Sequence, residues 1–143
     1  MNDRGLVEQL LTHSHVIALV GYSIDPSRPS NSVARYLRSQ GFRVIPVNPL
    51  LCGAVIEGER AYDRLADIPK AEHVDFVDVF RRGEFLDAVV DDAQAAGIAA
   101  VWFQLGLGNV AAAERAEELG MRVVWDRCTA IEHRRMRRSA ARG

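Results

Sequence analysis

At 143 residues, with a net charge of -1 and 48% hydrophobic residues, the chain is sized for one globular domain and needs no disulfide or metal staple to fold. Two cysteines, Cys52 and Cys128, exclude a disulfide framework, and no apolar run is long enough to span a bilayer. Met1 to Arg4 leads into a helical stretch containing Glu8, unlike a signal peptide, so the expected location is cytoplasmic. Charge is uneven: residues 129–143 sum to +4, leaving -5 elsewhere. The arginines of that segment have no interleaved aromatics, which speaks against nucleic-acid binding. The expectation is a single domain over residues 1–143, with a core over about 16–136 and a solvated basic tail over 137–143.

Leu6, Val7, Leu10 and Leu11 repeat at helical spacing. Val16 to Val20 is a short continuous apolar run, the pattern of a strand covered on both faces. Residues 30–40 read as a helix with Val33, Ala34 and Leu37 on one face, capped by Ser30 or Asn31 and stopped by Gly41. Residues 44–47 form the second predicted strand. Gly53 and Gly58 suggest a turn with a short extra strand between them, and a brief helix is predicted near residues 62–65. Residues 74–80, 99–104 and 121–125 are the third to fifth predicted strands. They alternate with helices marked by Phe85, Leu86, Val89, Val90 and Ala93, and by Val110, Ala113, Ala116 and Leu119. A last helix follows Thr129.

This alternation predicts an α/β, Rossmann-like, doubly wound parallel sheet of five strands in three α/β/α layers. The expected strand order is 3-2-1-4-5. Ligands bind such sheets outside the carboxyl ends of the strands, so the residues after each strand are the candidates.

After the first strand comes Gly21-Tyr22-Ser23-Ile24-Asp25-Pro26-Ser27-Arg28-Pro29-Ser30. Gly21 permits a tight turn, Ser23 and Ser30 offer hydroxyls, and Arg28 offers a planar cation beside a helix N-terminus, a combination suited to phosphate. The second and third glycines of G-x-G-x-x-G are missing, and so is the lysine of a phosphate loop. Pro46-Val47-Asn48-Pro49 ends the second strand with a neutral Asn48, where NAD-binding proteins usually carry an acid. That suits a ribose bearing an extra phosphate, as in coenzyme A or NADP. At the end of the third strand, Phe80 is placed to pack against an adenine and Arg81 to meet phosphate. After the fourth, Gln104 can donate and accept, Gly106 keeps the wall low, and Asn109 suits a helix cap.

Together these loops, with Asp78-Val79-Phe80-Arg81, Val101-Trp102-Phe103-Gln104-Leu105-Gly106 and Asp126-Arg127-Cys128, resemble the coenzyme A-binding family related to the N-terminal domain of succinyl-CoA synthetase α subunits. The ordered set runs over about residues 16–136. The resemblance implies coenzyme A as the cofactor. Its phosphates would lie at the first loop, its adenosine near the ends of the second and third strands, and its pantetheine arm toward the fourth. Val47, Pro49 and Tyr22 join the expected contacts on that basis.

The synthetase's phosphohistidine motif is not found at His13, His15, His73 or His133. Cys128 follows Arg127, which would lower a nearby thiol's pKa, although burial is the simpler expectation. No catalytic residue and no metal site is assigned. The reading is a stand-alone, non-catalytic binder of coenzyme A or an acyl-CoA, contacting neither nucleic acid nor membrane. A partner protein or a homo-oligomer is left open. An NADP-dependent oxidoreductase fragment and an interaction protein that has kept only the scaffold are the alternatives.

Overall fold

The computed structural model describes residues 1–142. Strands β1 (Val16–Val20), β2 (Arg43–Val47), β5 (Phe76–Val79), β6 (Ala100–Gln104) and β7 (Arg122–Arg127) form one parallel sheet. A two-stranded hairpin, β3 (Val55–Ile56) and β4 (Glu59–Arg60), supplies the extra strand expected between Gly53 and Gly58. Helices α1 (Arg4–His13), α2 (Pro29–Ser39) and α5 (Thr129–Arg142) cover one face of the sheet, and α3 (Leu86–Ala95) and α4 (Val110–Glu118) cover the other. Alternate strand residues divide between the two cores. Ile17, Phe76, Trp102 and Val124 meet Leu10, Leu37 and Ala130, while Val77, Val101 and Val123 meet Val90, Ala93 and Ala116. Among the described residues no helix is long and apolar enough to cross a membrane.

The sheet order is β2-β1-β5-β6-β7. In strand sequence this is 2-1-3-4-5, the other common doubly wound arrangement, and it corrects the expected 3-2-1-4-5. The second strand is an edge. Pro46 lies within it, and the Pro46 carbonyl accepts from Tyr62 N–H at 3.0 Å on the outer side. A residue's N–H and C=O share one edge of a strand, so the donor that proline lacks is missing where no sixth strand needs it. The opposite edge, β7, is closed by Asn2, whose side-chain amide exchanges two 2.7 Å hydrogen bonds with the Trp125 backbone.

Two smaller expectations also change. The brief helix near residues 62–65 is a 3₁₀ turn at Leu65–Asp67, with a second at Lys70–Glu72. Where a basic tail was expected from residue 137, α5 continues to Arg142; Gly143 lies outside the described residues.

A polar cluster sits inside the core. Asp78 on β5 is fully buried. Gln104 Nε2, on β6, donates to Asp78 Oδ1 at 2.5 Å and to Thr129 Oγ1 at 2.9 Å, and Thr129 Oγ1 donates to Asp78 Oδ2 at 3.0 Å. This triangle fixes the first residue of α5 to the carboxyl ends of two strands. Burial pushes the Asp78 carboxyl up to about 7, against the downward pull of its two hydrogen bonds.

The unfolded chain releases that proton near the ordinary value of 3.8, whereas the folded chain holds it to about 7. Stability from this group is therefore full below about pH 4 and is lost as pH rises through about 7. Asp78→Asn keeps the acceptor for Gln104 and cannot ionise. Relative to the parent protein it should gain about 2–3 kcal/mol between pH 5 and pH 8, the equivalent of about two pKa units. Urea unfolding at both pH values measures this, and a constant difference would show that Asp78 does not titrate in that window.

Candidate functional site

In this strand order the chain reverses direction between β1 and β5, so their two following loops stand side by side. Gly21 N–H donates to Val47 O at 3.0 Å and Phe80 N–H to Val20 O at 2.9 Å, which carries the sheet one residue past β1 on both sides. Gly21 has φ +87°, and a Cβ there would lie 2.6 Å from Phe80 O. Glycine is thus demanded twice, by conformation and by space.

The loop after Gly21 is held by three side chains. Asn48 Nδ2 donates to Tyr22 O at 2.8 Å, and Asn31 Nδ2 donates to Ser23 O at 3.0 Å. Ser30 Oγ accepts from Ser23 N–H at 3.0 Å. Asp25 accepts from the backbone N–H and hydroxyl of Ser27 at 2.9 and 2.8 Å, and these bonds, the backbone one foremost, hold its carboxyl below the usual range. Tyr22 is buried, with the Arg38 guanidinium 5.5 Å from its ring centre.

These loops enclose a cavity of about 410 Å³ at the carboxyl end of the sheet. Of the expected contacts it gathers Gly21, Tyr22, Ser23, Arg28, Ser30, Asn48, Phe80 and Arg81. Pro29, Arg82 and Leu107 line it as well. The start of α2 faces this space. Its N-cap residue is Arg28, with Pro29 next and no side-chain cap, so neither Ser30 nor Asn31 caps the helix as expected. Pro29 has no N–H and Asn31 N–H donates to Arg28 O at 3.0 Å, which leaves the Ser30 N–H as the first-turn donor for an anion. Arg28, Arg81 and Arg82 make no ion pair among the described residues. The Arg81 guanidinium lies 3.9 Å from the ring centre of Phe85, which fixes its direction.

Five expected contacts lie off this cavity. Val47 is buried in the core, and Pro49 opens an exposed 3₁₀ turn. Gln104 is only 3% exposed, with its amide donating into the Asp78 triangle. Gly106 N–H donates to Asp126 Oδ1 at 3.0 Å. Asn109 caps α4, accepting from Ala112 N–H at 2.8 Å. Cys128 does not have the lowered pKa that Arg127 suggested: burial, above all, pushes its thiol up. Larger hollows of about 470 and 540 Å³ lie toward the amino ends of the strands, around Lys70 and His73 and around Gln40 and His133. Neither brings a helix N-terminus and unpaired arginines together.

Known proteins share this sequence pattern and fold. The CoA binding domain family matches residues 15–134. The chain is similar to YneT of Bacillus subtilis (strain 168), 34% identical over 127 residues, covering 89% of this chain and 91% of that one. A Thermus thermophilus structure, cell-free ID.343, superposes with a TM-score of 0.85 at 42% identity, covering 95% of this chain and 99% of that one. The dinucleotide forming Acetyl-coenzyme A synthetase 1 of Ca. Korarchaeum cryptofilum, in complex with phosphate and ADP, matches 86% of this chain with a TM-score of 0.68 at 30% identity. The match takes up only 27% of that longer chain. Coverage of this extent, at these identities, makes the chain a member of the CoA binding domain family.

Proposed function

We propose that the protein binds coenzyme A or an acyl-CoA in the cavity between the β1 and β5 loops, and that it holds the ligand without transforming it. The observation that carries this is the meeting of Arg28 and Arg81, from two different loops, with the uncapped start of α2 around one cavity. Each favours an anion, and a diphosphate satisfies them together. The adenosine then lies toward Asn48 and Phe80, and the pantetheine arm runs toward the β6–α4 loop, where Leu107 reaches the cavity wall.

The non-catalytic part rests on the lining. Among the residues around the cavity there is no histidine, cysteine or carboxylate to serve as nucleophile or base. Neither cysteine lines the cavity, and Cys128 is made less reactive by its raised pKa. Asn48 does not separate coenzyme A from NADP, because its amide is engaged with Tyr22 O and Leu50 N–H.

Calorimetric titration with coenzyme A, acetyl-CoA, NADPH and NAD tests this reading. Saturable one-site binding of coenzyme A with none of NADPH is expected; the reverse order would favour the oxidoreductase alternative. Arg28→Ala should weaken coenzyme A binding by about 1.5–3 kcal/mol, the worth of a hydrogen bond to a charged group, with little change in thermal midpoint because Arg28 is exposed. Gly21→Ala should behave differently. It should lower stability by about 1–3 kcal/mol, the cost of a strained backbone, and weaken the ligand too, since Phe80 must retreat. A Gly21→Ala protein with normal melting and normal affinity would mean that the close approach is not needed.

A further inference from the structure

We propose that the β6–α4 loop selects the acyl group: this site takes uncharged aliphatic acyl thioesters in preference to free coenzyme A and to acyl groups ending in a carboxylate. The inference rests on the coenzyme A reading above, including the direction of the arm.

Leu107 lines the cavity, and Leu105 beside it is 53% exposed. Val110, at the start of α4, is 48% exposed. Single exposed aliphatic residues are ordinary on a protein surface. Here they stand together on a seven-residue stretch, 104–110, that carries no ionisable side chain. Its two amide side chains are committed elsewhere: Gln104 donates into the buried Asp78 triangle, and the Asn109 oxygen caps α4. The loop is also held flat. A Cβ on Gly108 would lie 2.6 Å from Phe103 Cβ, so this part of the loop rests directly on β6 and the leucines on either side of Gly106 are displayed. The aliphatic wall therefore continues the ligand cavity at the end where the arm emerges.

The charged side chain hydrogen-bonded to the backbone of this wall is a carboxylate. Asp126 sits at a bulge in β7, where the pairing with β6 shifts register, and its Oδ1 accepts from Gly106 N–H at 3.0 Å. An acyl carboxylate arriving at the loop would meet leucines and this fixed carboxylate. On the coenzyme A reading Arg28 and Arg81 are taken by the phosphates, and Arg127 donates to the Asp126 carbonyl at 2.8 Å. An alkyl chain gains by covering Leu105, Leu107 and Val110, which are otherwise left to water.

The test is calorimetric titration of the full chain with coenzyme A, acetyl-CoA, butyryl-CoA, hexanoyl-CoA and malonyl-CoA. Affinity should rise about twofold for each added methylene, half of what full burial gives. Malonyl-CoA should bind more weakly than acetyl-CoA. In Leu105→Ser/Leu107→Ser the ratio of hexanoyl-CoA to coenzyme A affinity should collapse toward one, a readout that does not depend on how the variant binds coenzyme A itself. Asp126→Asn, which keeps the acceptor for Gly106 at a backbone position (φ 56°) that asparagine tolerates, should narrow the malonyl-CoA penalty. Equal affinity for acetyl-CoA and hexanoyl-CoA would overturn the proposal while leaving the coenzyme A reading intact. So would malonyl-CoA binding as tightly as butyryl-CoA, or a chain-length trend that survives the double substitution. Failure of every thioester and of coenzyme A itself would instead remove the coenzyme A reading, and this proposal with it.

Discussion

The site depends on the absence of one side chain. Gly21 lies where the sheet's connections diverge, and its backbone passes so close to Phe80 that a methyl group would stand 2.6 Å from a carbonyl oxygen. That approach brings the β5 loop, with Arg81, against the β1 loop, with Arg28, and turns two separate basic loops into the walls of one cavity. The rest of the local sequence secures the geometry. Asn31, Ser30 and Asn48 each spend a polar group on the backbone of Tyr22 or Ser23. A loop fixed by its neighbours loses less entropy when a ligand arrives than a free one would.

A second constraint acts one strand further along. Asp78 is a carboxyl with no cation beside it, buried where β5 ends. Its three-membered hydrogen-bond ring with Gln104 and Thr129 ties β5, β6 and the start of α5 together. The hydrogen bonds from Gln104 and Thr129 favour the ionised form, but burial outweighs them. Such a ring is costly to break from any one corner, because each remaining member is left buried and unpaired. It also explains why Gln104, chemically apt for an amide-bearing ligand, does not face the cavity.

Most of the fold was legible because both signals it needs are local. Continuous apolar runs marked the buried parallel strands, and 3.6-residue spacing marked the helices between them. Strand order was misread, although one residue carried the correction: Pro46 lies inside the second strand, and proline is tolerated in a sheet only where no donor is required. Read that way, the second strand becomes an edge and the third moves beside the first. The site was legible in its glycine, its arginines and its position after the strands. What stayed hidden was the division of labour among the polar residues. Asn48, Ser30, Gln104 and Asn109 all have ligand-like chemistry. Their hydrogen bonds go instead to Tyr22, Ser23, Asp78 and Ala112; the Asn109 cap of α4 is a local pattern, but the partners of Asn48 and Gln104 are set by tertiary contact across 26 residues of sequence.

The balance of charge around the cavity bears on how the free protein behaves. Arg28, Arg81 and Arg82 stand with the positive end of α2, without ion pairs among the described residues. Like charges gathered at a helix N-terminus destabilise the unliganded loops modestly, since solvent screens them. An anion that binds there removes the repulsion and adds its own attraction, so on the proposed reading ligand affinity and loop order rise together. The linkage favours the folded form in proportion to the logarithm of ligand concentration. It also makes binding weaken with salt, because the attraction acts between partly exposed charges. An aliphatic acyl group would contribute in the opposite manner, through area removed from water, a term that salt does not screen. The two ends of one ligand would then be held by forces with different dependence on the solvent: charge at the α2 end, apolar contact at the β6–α4 loop.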